Sequence, residues 1–140
     1  AGTGSIGLEC LSRGAAKAFF IDKNQNSLTV LERNIQLLGA EKKATVLQKD
    51  ATSPGHPLVQ ADLIFLDPPY NTDLAEKTLE SFISAGWIST KALVIVETSA
   101  QTRLAVPKTL QKLDFRQYGN TGFWFLTSAK PHLNSLPAAK

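Results

Sequence analysis

The stretch LIFLDPPYNT, residues 63–72, constrains the fold more than any other part of the sequence. Leu63, Ile64, Phe65 and Leu66 form an unbroken apolar run, which suits a strand covered on both faces, as in a parallel α/β sheet. Pro68 and Pro69 lack the backbone N–H groups that a central ladder requires, so the strand cannot continue through them. Asp67 precedes a proline and is biased toward an extended backbone. A carboxylate is thus held at a strand's carboxyl end, where open α/β sheets bind ligands. An ordinary strand-to-loop exit with a solvated Asp is the competing reading.

The rest of the chain alternates strand with helix. Ile6 to Arg13 reads as a short helix closed by Gly14, and AFFID (18–22) as a buried strand. A helix is expected over 25–38, with Leu28, Leu31, Ile35 and Leu38 on one face and Gly39 behind it. ATVLQKD (44–50) is the next strand, and TSPGHP (52–57) is a turn-rich loop. After the strand 63–66 come a helix around 73–85 and the strand ALVIVET (92–98). Residues 114–128 read as two strands about a Gly-Asn-Thr-Gly turn, an antiparallel pair. Strands alternating with helices imply a mostly parallel sheet with helices on both faces, and the terminal hairpin makes it mixed. Residues 1–128 read as one core and 129–140 as a frayed tail.

Composition narrows the function. At 140 residues, 43% hydrophobic and 19% charged, the chain suits one globular domain. No apolar run approaches the ~20 residues of a membrane span. Cys10 is the single cysteine, so no internal disulfide forms, and His56 and His132 sit beside prolines without metal-site spacing. No metal, no membrane association and a cytoplasmic setting are expected. Charge is uneven: residues 1–98 carry net −2. Residues 99–140 carry Arg103, Lys108, Lys112, Arg116, Lys130 and Lys140 against Asp114 alone. That segment suits a polyanion or a solvated face equally.

The opening AGTGSIG has the spacing of a glycine-rich loop at Gly2, Gly4 and Gly7. Its glycines allow a tight turn, close ligand approach and close helix packing. Such a loop follows a strand, but the chain begins at Ala1, so the first strand is expected to be missing and the chain a fragment of a longer one. The missing strand would lie between the strand ending at Asp22 and the strand ending at Asp67. The isolated chain is then expected to be poorly stable and nearly inactive, or to exchange a strand or dimerise with a neighbour. Asp22, closing the second strand, is placed to accept hydrogen bonds from two ribose hydroxyls; a helix-start carboxylate is its plainer reading. Asp50 is placed to receive an adenine amino group. These positions fit an adenosine-containing cofactor, and a nicotinamide dinucleotide would use the glycines and Asp22 equally.

Asp67 to Tyr70 separate the two. Hydride transfer has no evident use for Asp-Pro-Pro-Tyr, whereas methyl transfer to an exocyclic amine does. The Asp67 carboxylate and the Pro68 carbonyl can accept the amine's two N–H bonds and localise its lone pair on nitrogen. The prolines fix these acceptors in advance. Tyr70 offers a ring face for the base, which must be unpaired or flipped to reach it.

AGTGSIGLECLSRGA, FFIDKN, QKDA and DPPY, in this order, resemble the class I S-adenosylmethionine-dependent methyltransferases acting on exocyclic amines. Within them the chain looks like the RsmD-type family of 16S ribosomal RNA guanine-N2 methyltransferases, over residues 1 to about 128. The resemblance implies a Rossmann-like fold and S-adenosylmethionine as cofactor. It implies ribosomal RNA, or a small-subunit assembly intermediate, as partner. It further implies that Gly2, Gly4 and Gly7 border the methionine part of the cofactor, that Asp22 holds its ribose, and that Asp50 with the Ala51 backbone reads adenine. Asp67, Pro68, Pro69 and Tyr70 would receive the target base. The family carries a first strand and an RNA-contacting segment before the glycine loop, which this sequence lacks. The alternatives are a DNA adenine-N6 methyltransferase, which shares the motif, a non-catalytic nucleic-acid-binding module, and, more distantly, a nicotinamide oxidoreductase.

Overall fold

The computed structural model describes residues 4–69 and 73–129. Its elements are α1 (Ser5–Ser12), β1 (Ala18–Asp22), α2 (Gln25–Leu37), β2 (Ala44–Gln48), β3 (Ala61–Leu66), α3 (Leu74–Ala85), β4 (Ile88–Ser99), β5 (Leu110–Tyr118) and β6 (Thr121–Ser128). The strand–helix alternation and the closing hairpin are those expected from the sequence. The described strands form two sheets, β1-β2 and β3-β4-β6-β5. Among the described residues β1 and β3 are not paired to each other. The chain divides into two compact units, Ala1–Gly55 and His56–Lys140.

In the first unit β1 and β2 run parallel, with Phe20 opposite Val46 and Asp22 opposite Gln48. Leu8 and Leu11 of α1, Phe20 of β1, and Leu28, Leu31 and Ile35 of α2 make its core. Leu31 is fully buried, and burying one leucine contributes about 1.5–3 kcal/mol. Leu38, expected on the same face, is instead 67% exposed. The helix stops at Leu37, and the Ala40 N–H turns back to the Ile35 carbonyl at 3.0 Å while Gly39 N–H bonds to Gln36. That paired closure swings Leu38 off the apolar stripe.

In the second unit β3 is parallel to β4, β6 is antiparallel to β4, and β5 is antiparallel to β6. β3, β4 and β5 therefore share a direction. Ile64, Leu66, Leu79, Phe82, Val94, Val96 and Leu126 are buried. The apolar run of β3 is not covered on both faces as expected: Leu63 is 45% exposed, against 6% for Ile64. Its alternate residues face different surroundings, as in a strand with one packed face. β4 and β5 begin earlier than the sequence pattern suggests, at Ile88 and Leu110.

Candidate active site

Gly4 caps α1 with a left-handed backbone, φ 78°, which a side chain would strain. The first intrahelical bond runs from Leu8 N–H to the Gly4 carbonyl at 2.9 Å. The N–H groups before Leu8 have no earlier carbonyl within the helix, and such groups attract anionic or polar atoms. Gly7 lies one turn on, against β1. A Cβ at Gly7 would overlap the Phe20 ring, 2.7 Å from Cζ. Its missing side chain is what lets α1 approach the strand. Gly2 lies outside the described residues.

Asp22 ends β1, as expected. Its Oδ1 accepts the Asn24 N–H at 2.9 Å. It is not the cap of α2: Asn24 is, through Oδ1 accepting Ser27 N–H at 3.0 Å. Asp50 does not end β2, which stops at Gln48. It sits two residues beyond, in a turn where Oδ1 accepts both the Thr52 N–H (2.9 Å) and the Thr52 hydroxyl (2.7 Å). The backbone bond from Thr52, then its hydroxyl, hold the Asp50 carboxyl below the ordinary range. Ala51 occupies the same turn. Lys23 reaches Asp50 Oδ2 at 4.0 Å, and Lys49 N–H bonds to the Asp22 carbonyl at 3.1 Å. Asp22 and Asp50 thus share the carboxyl end of the β1-β2 pair, where they offer carboxylate oxygens able to hold hydroxyl and amino donors.

Asp67 is the first residue past β3, with Pro68 and Pro69 behind it. Tyr70 lies outside the described residues. Partial desolvation of its carboxyl, and secondarily the Glu97 charge, raise the Asp67 pKa above the ordinary range. The register explains the second cause. Leu66 pairs with Val96, so the next residues of the two parallel strands are Asp67 and Glu97. Sequence reasoning missed Glu97, which ends an apolar run in VIVET and gives no local signal of its neighbour. The end of β4 is fixed by Trp124, whose Nε1 donates to the buried Thr98 hydroxyl at 3.1 Å.

Glu97 stands opposite Phe123 on β6, and Phe123 opposite Arg116 on β5. Arg116 lies over the Phe125 ring at 5.6 Å, while Lys112 lies over Trp124 at 5.3 Å. Phe125 and Trp124 are consecutive in a strand, so these two cations lie on opposite faces of the hairpin. They do not belong to one basic patch.

Fold and site together define a class: a Rossmann-like class I methyltransferase architecture. A solved structure from Haemophilus influenzae, assigned as a methylase, matches with TM-score 0.83 at 29% identity, over 93% of this chain and 83% of that one. The ribosomal RNA small subunit methyltransferase D of Haemophilus influenzae is 32% identical over 132 residues, covering 86% of this chain and 68% of that protein. Its namesake in Escherichia coli K12 is 31% identical over 104 residues. There the match takes in 74% of this chain but only 52% of the relative, about half its length. The chain belongs to the family described as Conserved hypothetical protein 95, which it matches over residues 1–127.

Proposed function

We propose that this chain carries the catalytic core of an enzyme that methylates the exocyclic N2 of a guanine in small-subunit (16S) ribosomal RNA, using S-adenosylmethionine. Residues 1–128 form that core in this reading, with 129–140 as a tail. The partner is ribosomal RNA or a small-subunit assembly intermediate, in the cytoplasm. The observation that carries the reading is a carboxylate at the carboxyl end of β3, beside Glu97 and followed by two prolines. The relatives named as ribosomal RNA small subunit methyltransferase D supply the substrate class.

The acceptors of the first unit fit the proposed cofactor. An ionised Asp50 suits an adenine amino group, and Asp22 suits a ribose diol. The N–H groups opening α1, which have no carbonyl partner within the helix, suit the polar methionine end, which Gly2, Gly4 and Gly7 would border. S-adenosylmethionine supplies a methyl group on a positively charged sulfur. The chain's own residues prepare the amine. Asp67 accepts one N–H bond and the Pro68 carbonyl the other, which draws electron density onto nitrogen. The ring constraint of Pro68 and Pro69 means neither acceptor reorganises during reaction. Once nitrogen carries its fourth bond it is cationic and sheds a proton, which an Asp67 oxygen can receive. Partial desolvation and Glu97 make Asp67 a better proton acceptor than a fully solvated aspartate. Tyr70 supplies the ring against which the base stacks.

The test is methyl transfer from labelled S-adenosylmethionine to small-subunit ribosomal RNA by the full-length protein, with the modified nucleoside identified. N2-methylguanosine is expected. N6-methyladenosine, or no transfer with intact cofactor binding, overturns the reading.

A further inference from the structure

We propose that Tyr118, at the tip of the β5-β6 hairpin, is a stacking platform for a base of the RNA strand flanking the target nucleotide. The proposal rests on the RNA-methyltransferase reading and adds a second contact to it. Strand direction places the tip. β3, β4 and β5 run the same way, so Tyr118 lies at the same end of this sheet as Asp67. Ser99 pairs with Thr121, and Thr121 with Tyr118. The Ala100 N–H fastens the tip to the end of β4 by donating to the Asn120 carbonyl at 2.8 Å. From β3 to β5 is three strand spacings, about 14 Å. That is about four nucleotides at the stacked rise and fewer where the strand is unstacked.

The chemistry of the tip fits a nucleic acid strand. Tyr118 is 63% exposed at the tip of the hairpin. Its ring meets Phe123 edge-on, with centroids 6.0 Å apart and planes at 66°. That contact sets the ring's orientation while most of it stays in solvent. Arg116 lies two residues back on the same face, oriented by Asp114 (Nε to Oδ2, 3.0 Å) and by the Phe125 ring. Asp114 takes the Arg116 Nε, and the Tyr118 hydroxyl also interacts with the guanidinium, so ring and cation are held together as one unit whose charge suits a phosphate. Among described residues 99–129, with Lys112 set aside on the other face, Arg103, Lys108 and Arg116 outnumber the single acid Asp114. An oriented exposed ring beside a fixed cation, in a basic segment, is the combination that binds single strands without reading their sequence.

The test uses the full-length protein and a labelled single-stranded RNA of about 12 nucleotides with a central guanine, within the usual range for such sites. Binding is read by fluorescence anisotropy. Tyr118→Ala and Tyr118→Leu are expected to raise Kd about 5- to 150-fold, and Tyr118→Phe to stay within about twofold. Leu keeps an apolar contact with Phe123, so a loss shared by Ala and Leu reports the ring face and not hairpin packing. Cofactor affinity by calorimetry is expected to be equal in all four proteins. Parent-like RNA affinity in Tyr118→Ala, a Tyr118→Phe defect as large as that of Ala, or no RNA binding by the parent overturns the platform. Failure of the parent to form N2-methylguanosine overturns the functional reading instead, since the platform is judged from binding alone.

Discussion

Gly7→Ala separates two reasons for a glycine at that position, and they predict opposite signs. If Gly7 served only ligand approach, alanine would stabilise the protein by its helix propensity, about 0.8–1.0 kcal/mol. Gly7 lies inside α1, so no backbone strain opposes the change. The added methyl, however, meets Phe20, at 2.7 Å from Cζ and 3.3 Å from Cδ1. Phe20 is only 4% exposed and packs in the core with Leu31, so the ring has nowhere to retreat. Overpacking of this kind costs about 1–3 kcal/mol. The net expectation is a loss of about 0–2 kcal/mol, centred near 1. In urea unfolding without cofactor, a 1 kcal/mol loss lowers the midpoint by about 0.3–1 M at unchanged slope. Phe20→Leu removes the obstructing ring atoms at its own cost. In the double variant the Gly7→Ala penalty should shrink or reverse, a coupling that a double-mutant cycle reads directly. A higher midpoint for Gly7→Ala alone would refute the packing role.

Asp22→Ala should weaken S-adenosylmethionine binding by about 1–3 kcal/mol in calorimetry, the range for lost hydrogen bonds to a charged group. Measurable NAD binding by the parent protein would count against the cofactor assignment. Asp67 should leave a signature in stability against pH. Its native pKa is raised, by burial first and Glu97 second, so above the ordinary value of about 3.9 the folded chain keeps a proton the unfolded chain has lost. Its contribution is therefore fully present below that value and declines as pH rises through the native pKa. Asp67→Asn should remove this decline and Glu97→Gln should reduce it. An unchanged slope in Asp67→Asn above about pH 4 would show that the carboxyl is not perturbed. Arg116→Glu should flatten the salt dependence of RNA binding, by roughly 0.7 in the log–log slope for each phosphate no longer neutralised. Lys112→Glu, on the other face of the hairpin, should not. Equal effects of the two would return the hairpin's charge to a diffuse field.

What could be read from the sequence, and what could not, divides along the range of the forces involved. Asp67 was legible because Pro68 and Pro69 end a strand by local covalent structure, whatever packs around it. The bounds of β1 and most of α2 followed from local periodicity for the same reason. Leu38 was misplaced because periodicity says where a stripe runs and not where a helix closes. The closing bonds at Gly39 and Ala40 decide that. Asp50 was set on β2 because QKD has no residue that forbids further pairing. Glu97 required knowing that β3 and β4 are parallel neighbours in one register, which no stretch of either strand states.

The hairpin makes the sharpest case. Lys112 and Arg116 are four residues apart in β5, so strict alternation would put both on one face. A register shift between Lys112 and Asp114 inserts one residue and inverts the phase. Lys112 then turns to Trp124, and Arg116 to Phe125. A one-residue slip moves every later side chain to the other face of the sheet. Nothing in LQKLDFRQY marks where it occurs, since apolar residues sit in both phases. The count of basic residues was thus available from composition, while their division between two faces depends on a backbone irregularity that composition does not record. That irregularity puts Arg116, and not Lys112, on the face of Glu97 and Tyr118. It is why a single substitution at each position tests more than reversing both charges together.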